Sequence, residues 1–305
     1  LWTFVLGALL ATLWFAGPRA ANTLAARYQL AEQQSPPVEL DRVGFLQVPD
    51  WMDPPQLVTV TRELSPWLSD QVPILDDASA RNLRTGLLTV PWVDEVRLDR
   101  VFPNQFKIAL VLRRPRLAVR DAEGQAICLV DAGGRALPWV ECQVPSTQLR
   151  REGGAGSFVP EFGRVVDESR VRAALAIALE WQQEVAPLVP GCPQLLAVDA
   201  NNLGERYARS PSFPEIRVLL QRRDGAPVTF LYGRPVDSPL PRVSARAKAQ
   251  VLANILQLRP GLDGLVSADL RLSRRWLDYL QPREPGRPDP LAPWTALDGE
   301  LPVVR

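Results

Sequence analysis

The chain has 305 residues, enough for two or three domains of roughly 100–150 residues each. Lys+Arg 35 against Asp+Glu 34 leaves none of the basic excess that marks a nucleic-acid binder. The complete absence of histidine excludes Ser-His-Asp and Cys-His catalysis, histidine metal sites and the usual near-neutral general base. Cys128, Cys142 and Cys192 form no C-x-x-C pair, make a poor zinc site, and allow at most one disulfide with a thiol to spare.

Residues 1–18 are expected to form a single transmembrane helix. Leu1 to Gly17 carries no charge, and Trp2 and Trp14 stand near its ends like interface anchors. The chain opens on Leu rather than Met, and a few apolar residues upstream would complete the span. Arg19 and Arg27, on the outward flank, run against the usual charge bias and call for a more basic tail before residue 1. Residues 19–42 read as a linker that is helical at first and ends at Ser35-Pro36-Pro37, because proline lacks the amide donor and restricts its predecessor.

Residues 43–48 (VGFLQV) suit a short strand. Asp53-Pro54-Pro55 supplies an N-cap and proline at the first helical positions, and Leu57, Val60, Leu64 and Leu68 follow at helical spacing, with Pro66 set to bend or end that helix. Asp76, Asp77 and Ser79 are cap candidates for a second helix that places Ala80, Leu83, Leu87 and Val90 on one face. Trp92 to Val101 and Phe106 to Arg113 then read as a hairpin, the second strand alternating with period two. Strand, helix, helix, strand, strand is an α+β unit with two helices on one face of a three-stranded sheet.

After Arg113-Arg114-Pro115 the texture becomes a meander. Strands are expected at 117–119, 126–131 and 135–140, a helix from about Asp167 to Ala186, and strands at 195–199, 215–223 and 227–232, with Asp224-Gly225 as a hairpin turn. A helix follows over 243–258, then strands over 265–272 and 276–280. Residues 281–305 read as a proline-rich disordered tail. Trp67, Trp92 and Trp139 are expected in cores.

The run Leu87 to Pro115, LLTVPWVDEVRLDRVFPNQFKIALVLRRP, resembles the closing half of the polypeptide-transport-associated (POTRA) domain in the FtsQ/DivIB family of bacterial division proteins. Pro91-Trp92-Val93, Phe102-Pro103 and Arg113-Arg114-Pro115 occupy the family's motif positions in order. Leu129 to Gly134 is similar to its following "lvD-x-x-G" turn, and Tyr232-Gly233, the helix around Lys248 and Asp269-Leu270-Arg271 are similar to its later motifs. The likeness covers about residues 43–280. It departs at a long Gly-rich insertion over 146–164, at Pro49-Asp50, and at Arg274, Arg275 and Asp278.

The resemblance implies a POTRA domain (β-α-α-β-β) over 43–115 and a larger β-rich domain with covering helices over 116–280. It implies a non-catalytic, membrane-anchored scaffold of the division complex, outside the cytoplasmic membrane at the septum. Partners would be FtsB-like and FtsL-like bitopic division proteins, bound by strand addition, with no cofactor, metal, nucleic acid or small-molecule substrate. The partner surface it assigns is Arg271, Leu272, Ser273, Trp276, Leu277 and Tyr279, among which Trp and Tyr are also common interface anchors.

Two alternatives are an outer-membrane assembly or secretion POTRA protein, which would need a C-terminal barrel, and a membrane-anchored cell-wall enzyme. Without histidine such an enzyme would rest on carboxylates or a Ser-Lys pair, and neither lysine stands at Ser-x-x-Lys spacing. Gly153-Gly154-Ala155-Gly156 lacks the Lys-Ser/Thr ending of a phosphate loop. Asp94 and Glu95, adjacent on a strand, point to opposite faces.

Overall fold

The structure, a computed structural model, describes residues 21–27, 43–46, 49–68, 76–101, 105–150, 158–204, 214–271 and 281–282. The chain divides into two compact units, Leu1–Arg113 and Arg114–Arg305, and it is α+β with two sheets.

The expected membrane helix over 1–18 lies outside the described residues. Among the described residues no helix is long and apolar enough to cross a membrane. Against that finding, the N-terminal transmembrane helix and the single-pass inner-membrane placement drawn from it are not supported. For the described helices the limit is length: the longest α-helix among them has 14 residues, about 21 Å against a hydrocarbon core of ~30 Å.

Unit one contains β1 (Val43–Phe45), α1 (Pro54–Arg62), α2 (Ser65–Leu68), α3 (Asp77–Thr89), β2 (Val93–Val101) and β3 (Gln105–Leu112). Its sheet runs β1-β3-β2, with β3 parallel to β1 and antiparallel to β2. Helix α1 starts where the prolines cost no hydrogen bond, and the Asp53 amide donates to the Gln56 side chain at 3.3 Å. Pro66 does not bend one long helix. It sits in the first turn of α2, so the expected helix is two pieces.

Asp76 caps α3 by accepting from the amides of Ala78 (2.9 Å) and Ser79 (3.1 Å). These bonds and the Ser79 hydroxyl hold its carboxyl below the usual range, the hydroxyl contributing most. Phe106, Ile108, Leu110 and Leu112 are buried. The pairing sets Val96 opposite Leu110, Leu98 opposite Ile108 and Arg100 opposite Phe106, so these share the core face. Trp92 is buried and stacks on Trp51 with ring centroids 6.0 Å apart. Trp67 is 41% exposed rather than interior; its ring lies so close over Gly86 that an added Cβ there would meet it at 2.3 Å.

Unit two opens with β4 (Pro115–Arg120), β5 (Ala126–Asp131), β6 (Ala136–Leu137) and β7 (Ser146–Gln148), then α4 (Ser169–Glu180), a π-turn (Trp181–Val185) and a 3-10 turn (Ala186–Leu188). It continues through β8 (Leu195–Asp199), β9 (Ile216–Gln221), β10 (Pro227–Gly233), α5 (Ala245–Leu258), β11 (Leu265–Asp269) and β12 (Gln281–Pro282). The nine strands run β12-β11-β10-β9-β8-β7-β4-β5-β6.

Strand β7 falls inside the expected insertion. It joins the sheet's two halves, pairing parallel with β4 and with β8. Gln281–Pro282, read from sequence as tail, pair with β11. Ile177, Ala178 and Leu175 of α4 and Ala249, Leu252 and Ile255 of α5 pack into one core with Val218, Leu220 and Phe230 of the sheet. Trp139 is half-buried, with the Arg120 guanidinium 5.0 Å above its ring. The three cysteines are free. Burial pushes the Cys128 and Cys142 thiols up to about 12 and Cys192 up to about 11, so none is a reactive thiolate at neutral pH.

Candidate functional site

A sheet can accept a foreign strand only at an end whose backbone groups are unpaired. The two ends of the nine-stranded sheet are built differently. At the β6 end the chain covers itself: Gly163 donates to the Ala136 carbonyl (2.7 Å), Ala136 donates to Arg164 (2.9 Å), and Val166 donates to Gly134 (2.9 Å). Arg135 and Val165 form an antiparallel bridge there, and the Arg135 guanidinium bonds the Gly163 carbonyl at 3.0 Å. Gly163 and Arg164 of this cap end the stretch expected as an insertion over 146–164, and Val165 and Val166 follow it.

At the other end β11 pairs parallel with β10, and β12 adds two residues with an irregular register. The carboxylate of buried Asp269 turns the chain as it leaves β11. It accepts the Arg271 amide at 2.8 Å, and the Arg271 guanidinium reaches it through Nε (2.9 Å) and Nη2 (2.6 Å). Gly233 on β10, at φ +112, leaves room for the Arg271 stem, whose Cγ would lie 3.3 Å from a Cβ placed there. A side chain at 233 would displace that stem.

Of the expected partner residues, Arg271 is therefore held against Asp269 and β10, with its side chain 17% exposed. It shapes the edge rather than reaching out from it. Leu272, Ser273, Trp276, Leu277 and Tyr279 lie outside the described residues.

Behind this end sits a charged cluster that the sequence reading missed. Glu180, at the end of α4, accepts hydrogen bonds from the Tyr232 hydroxyl on β10 and from Arg242, which precedes α5. Lys248 of α5 is 1% exposed; its Nζ stands 3.7 Å from Glu180, an ion-pair distance beyond hydrogen-bond reach, and 3.4 Å from the centre of the Tyr232 ring. One carboxylate thus faces a buried ammonium and a half-buried guanidinium. The missed signal was Lys248 itself, one of only two lysines, on the face that α5 buries with Ala245, Ala249 and Leu252.

Burial acts to raise the Glu180 carboxyl, but the bonds from Arg242 and Tyr232 and the Lys248 charge outweigh it and hold it below the ordinary range. Burial pushes the Lys248 ammonium down to about 8, against the pull of Glu180. Burial, and then the Glu180 charge, keeps the Tyr232 hydroxyl protonated far above its usual value.

A pH-dependent prediction follows from Lys248. Below pH 8 it is charged in both folded and unfolded chains, and its burial cost applies in full. Between about 8 and its ordinary value of 10.5 the folded chain sheds the proton first, so this contribution to stability rises with pH. Lys248→Met keeps the volume without the charge, and should be neutral to ~2 kcal/mol more stable than the parent at pH 7. The advantage should shrink by pH 9.5. Taking the difference between variant and parent cancels the cysteines and Tyr232, whose raised values act in the opposite sense. Urea unfolding at the two pH values checks it; an advantage that grows with pH would contradict it.

Among the described residues no group of three or more Cys, Asp or Glu side chains is placed to hold a metal ion. No protein-family model matches the chain, and no curated protein sequence matches it.

Proposed function

We infer that the chain is a non-catalytic scaffold of the bacterial division machinery, capturing partner division proteins by strand addition at the β11/β12 end of its nine-stranded sheet. The observation that carries this reading is the asymmetry of the sheet. The β6 end is closed by residues 163–166, whereas the last strand described at the other end is only two residues long and contains Pro282, which has no N–H to donate. The motif order over 87–115 and the Asp269-Leu270-Arg271 turn support the division family in particular. Extended segments of FtsB-like and FtsL-like proteins would add their backbone ladder at that end, with Leu272, Ser273, Trp276, Leu277 and Tyr279 supplying side-chain contacts and Arg271 fixing the strand's exit.

The test uses the full chain and the soluble segment of an FtsB-like protein from the same genome, with binding read by calorimetry. Trp276→Ala is expected to weaken capture roughly thirtyfold, as loss of an aromatic anchor does, and Tyr279→Ala somewhat less. No binding by the parent chain, or equal binding by both variants, would sink the reading.

A further inference from the structure

The outer side of β11 is not empty, because β12 already lies on it. Strand β11 has five residues, and Ser267, Ala268 and Asp269 pair parallel with β10 on its inner side. On the outer side, among the described residues, β12 meets it at two positions only: Leu265 stands opposite Pro282 and Ser267 opposite Gln281, with a break in register between them.

The first of those positions cannot carry a full pair of ladder bonds. Pro282 has no amide to give, and the Leu265 carbonyl takes a hydrogen bond from the Arg222 guanidinium at 3.2 Å. Each backbone bond contributes modestly to stability, so a strand with so few of them is held weakly.

Strand β11, by contrast, is anchored without β12. Leu265 and Ala268 pack in the core. Arg222, itself ion-paired with Asp224, pins the first residue of β11, and the contact of Arg271 with Asp269 pins its exit. A strand fixed at both ends keeps its place on β10 when its outer neighbour leaves.

The free side of β12 has little to offer a partner. Two residues, one of them proline, present at most one amide donor there, whereas a ladder needs a run of alternating donors and acceptors. Five-residue β11 supplies that run once β12 is away.

Resting on the scaffold reading above, we propose that β12 is a displaceable plug, and that a captured strand replaces it on the outer side of β11 instead of pairing with β12 itself. Capture is then a competition between the chain's own strand and a foreign one. The affinity measured for a partner is lowered by the fraction of chains in which β12 is seated.

The experiment locks the plug in place. Ser267→Cys with Gln281→Cys uses two positions that the register sets directly opposite; such antiparallel neighbours stand about 4.5–5.5 Å apart at Cα, within the range a disulfide spans. The bond is followed by mass spectrometry, and capture of the FtsB-like segment by the full chain is read by calorimetry before and after dithiothreitol. The oxidised chain is expected to lose at least roughly tenfold in affinity, and reduction to restore capture. The parent, whose three cysteines are free, should bind equally in both conditions. Amide protection of β9 and β10 in both oxidation states establishes that the sheet is folded.

Equal or tighter capture by the oxidised chain would overturn the proposal, since a partner pairing outside β12 gains from a fixed β12. Failure of the two cysteines to bond under oxidation would overturn it as well, because the two strands would not then be opposed. No capture by the parent would sink the scaffold reading and this proposal with it, whereas equal capture by parent and locked chain sinks this proposal alone.

Discussion

Glu180→Gln is expected to destabilise unit two by about 3–5 kcal/mol, the cost of removing one partner from a buried ion pair. The side chain of Glu180 is 3% exposed and, among the described residues, is the carboxylate ion-paired with both Arg242 and Lys248. Glutamine nearly preserves shape and still accepts from Tyr232, so the loss is one of charge. Two cations then face each other across a low-dielectric space. Lys248 can escape by losing its proton, and Arg242 cannot.

The double substitution Glu180→Gln with Lys248→Met should therefore recover part of the loss, a coupling between contacting groups that a double-mutant cycle reads directly. The check is urea unfolding at pH 7, with the cycle closed by the single Lys248→Met variant. A cost below about 1 kcal/mol would mean that the cluster is screened as exposed pairs are, and would remove its role in holding β10 against α4 and α5.

Trp92→Ala is expected to unfold unit one under conditions where unit two stays folded. Trp92 is 1% exposed, stacks on Trp51, and accepts the Arg113 amide on its carbonyl at 2.8 Å. Truncating a buried tryptophan costs about 3–5 kcal/mol. That is comparable to the whole stability of a domain below about 70–80 residues. Hydrogen exchange on the full chain should show protection lost in β2 and β3 and kept in β8 to β10. Trp92→Phe should retain most of it, and persistence of the β2–β3 ladder in Trp92→Ala would contradict the expectation.

What the sequence made legible was local. Asp53 with two prolines, Asp76 as a cap, the period-two run from Phe106 to Leu112 and the Asp224-Gly225 turn each declare themselves within a few residues, and each lies where its chemistry required. Strand β7 escaped notice because Ser146, Thr147 and Gln148 have no pattern of their own; they are strand only through β4 and β8 on either side. The cap over β6 depends in the same way on pairing with Gly134 and Ala136. Arg242 and Glu180 are 62 residues apart in sequence, so nothing nearby signals their bond. Arg271 was visible as a basic residue near a sheet edge. Its attachment to Asp269 depends on Asp269 being buried beneath it, which is a property of the packed sheet.

The closed β6 end also bears on how such molecules assemble. Continuous fibres grow when each unit presents both a donor end and an acceptor end, so that every addition recreates the surface just consumed. Here residues 163–166 occupy one terminus of the nine-stranded sheet permanently. A strand captured at the opposite terminus, as proposed, would expose its own outer edge, but no further copy of this sheet could be joined through its covered β6 terminus. Copies of this sheet would then not join end to end through one another, and any capture would rest on the other terminus alone.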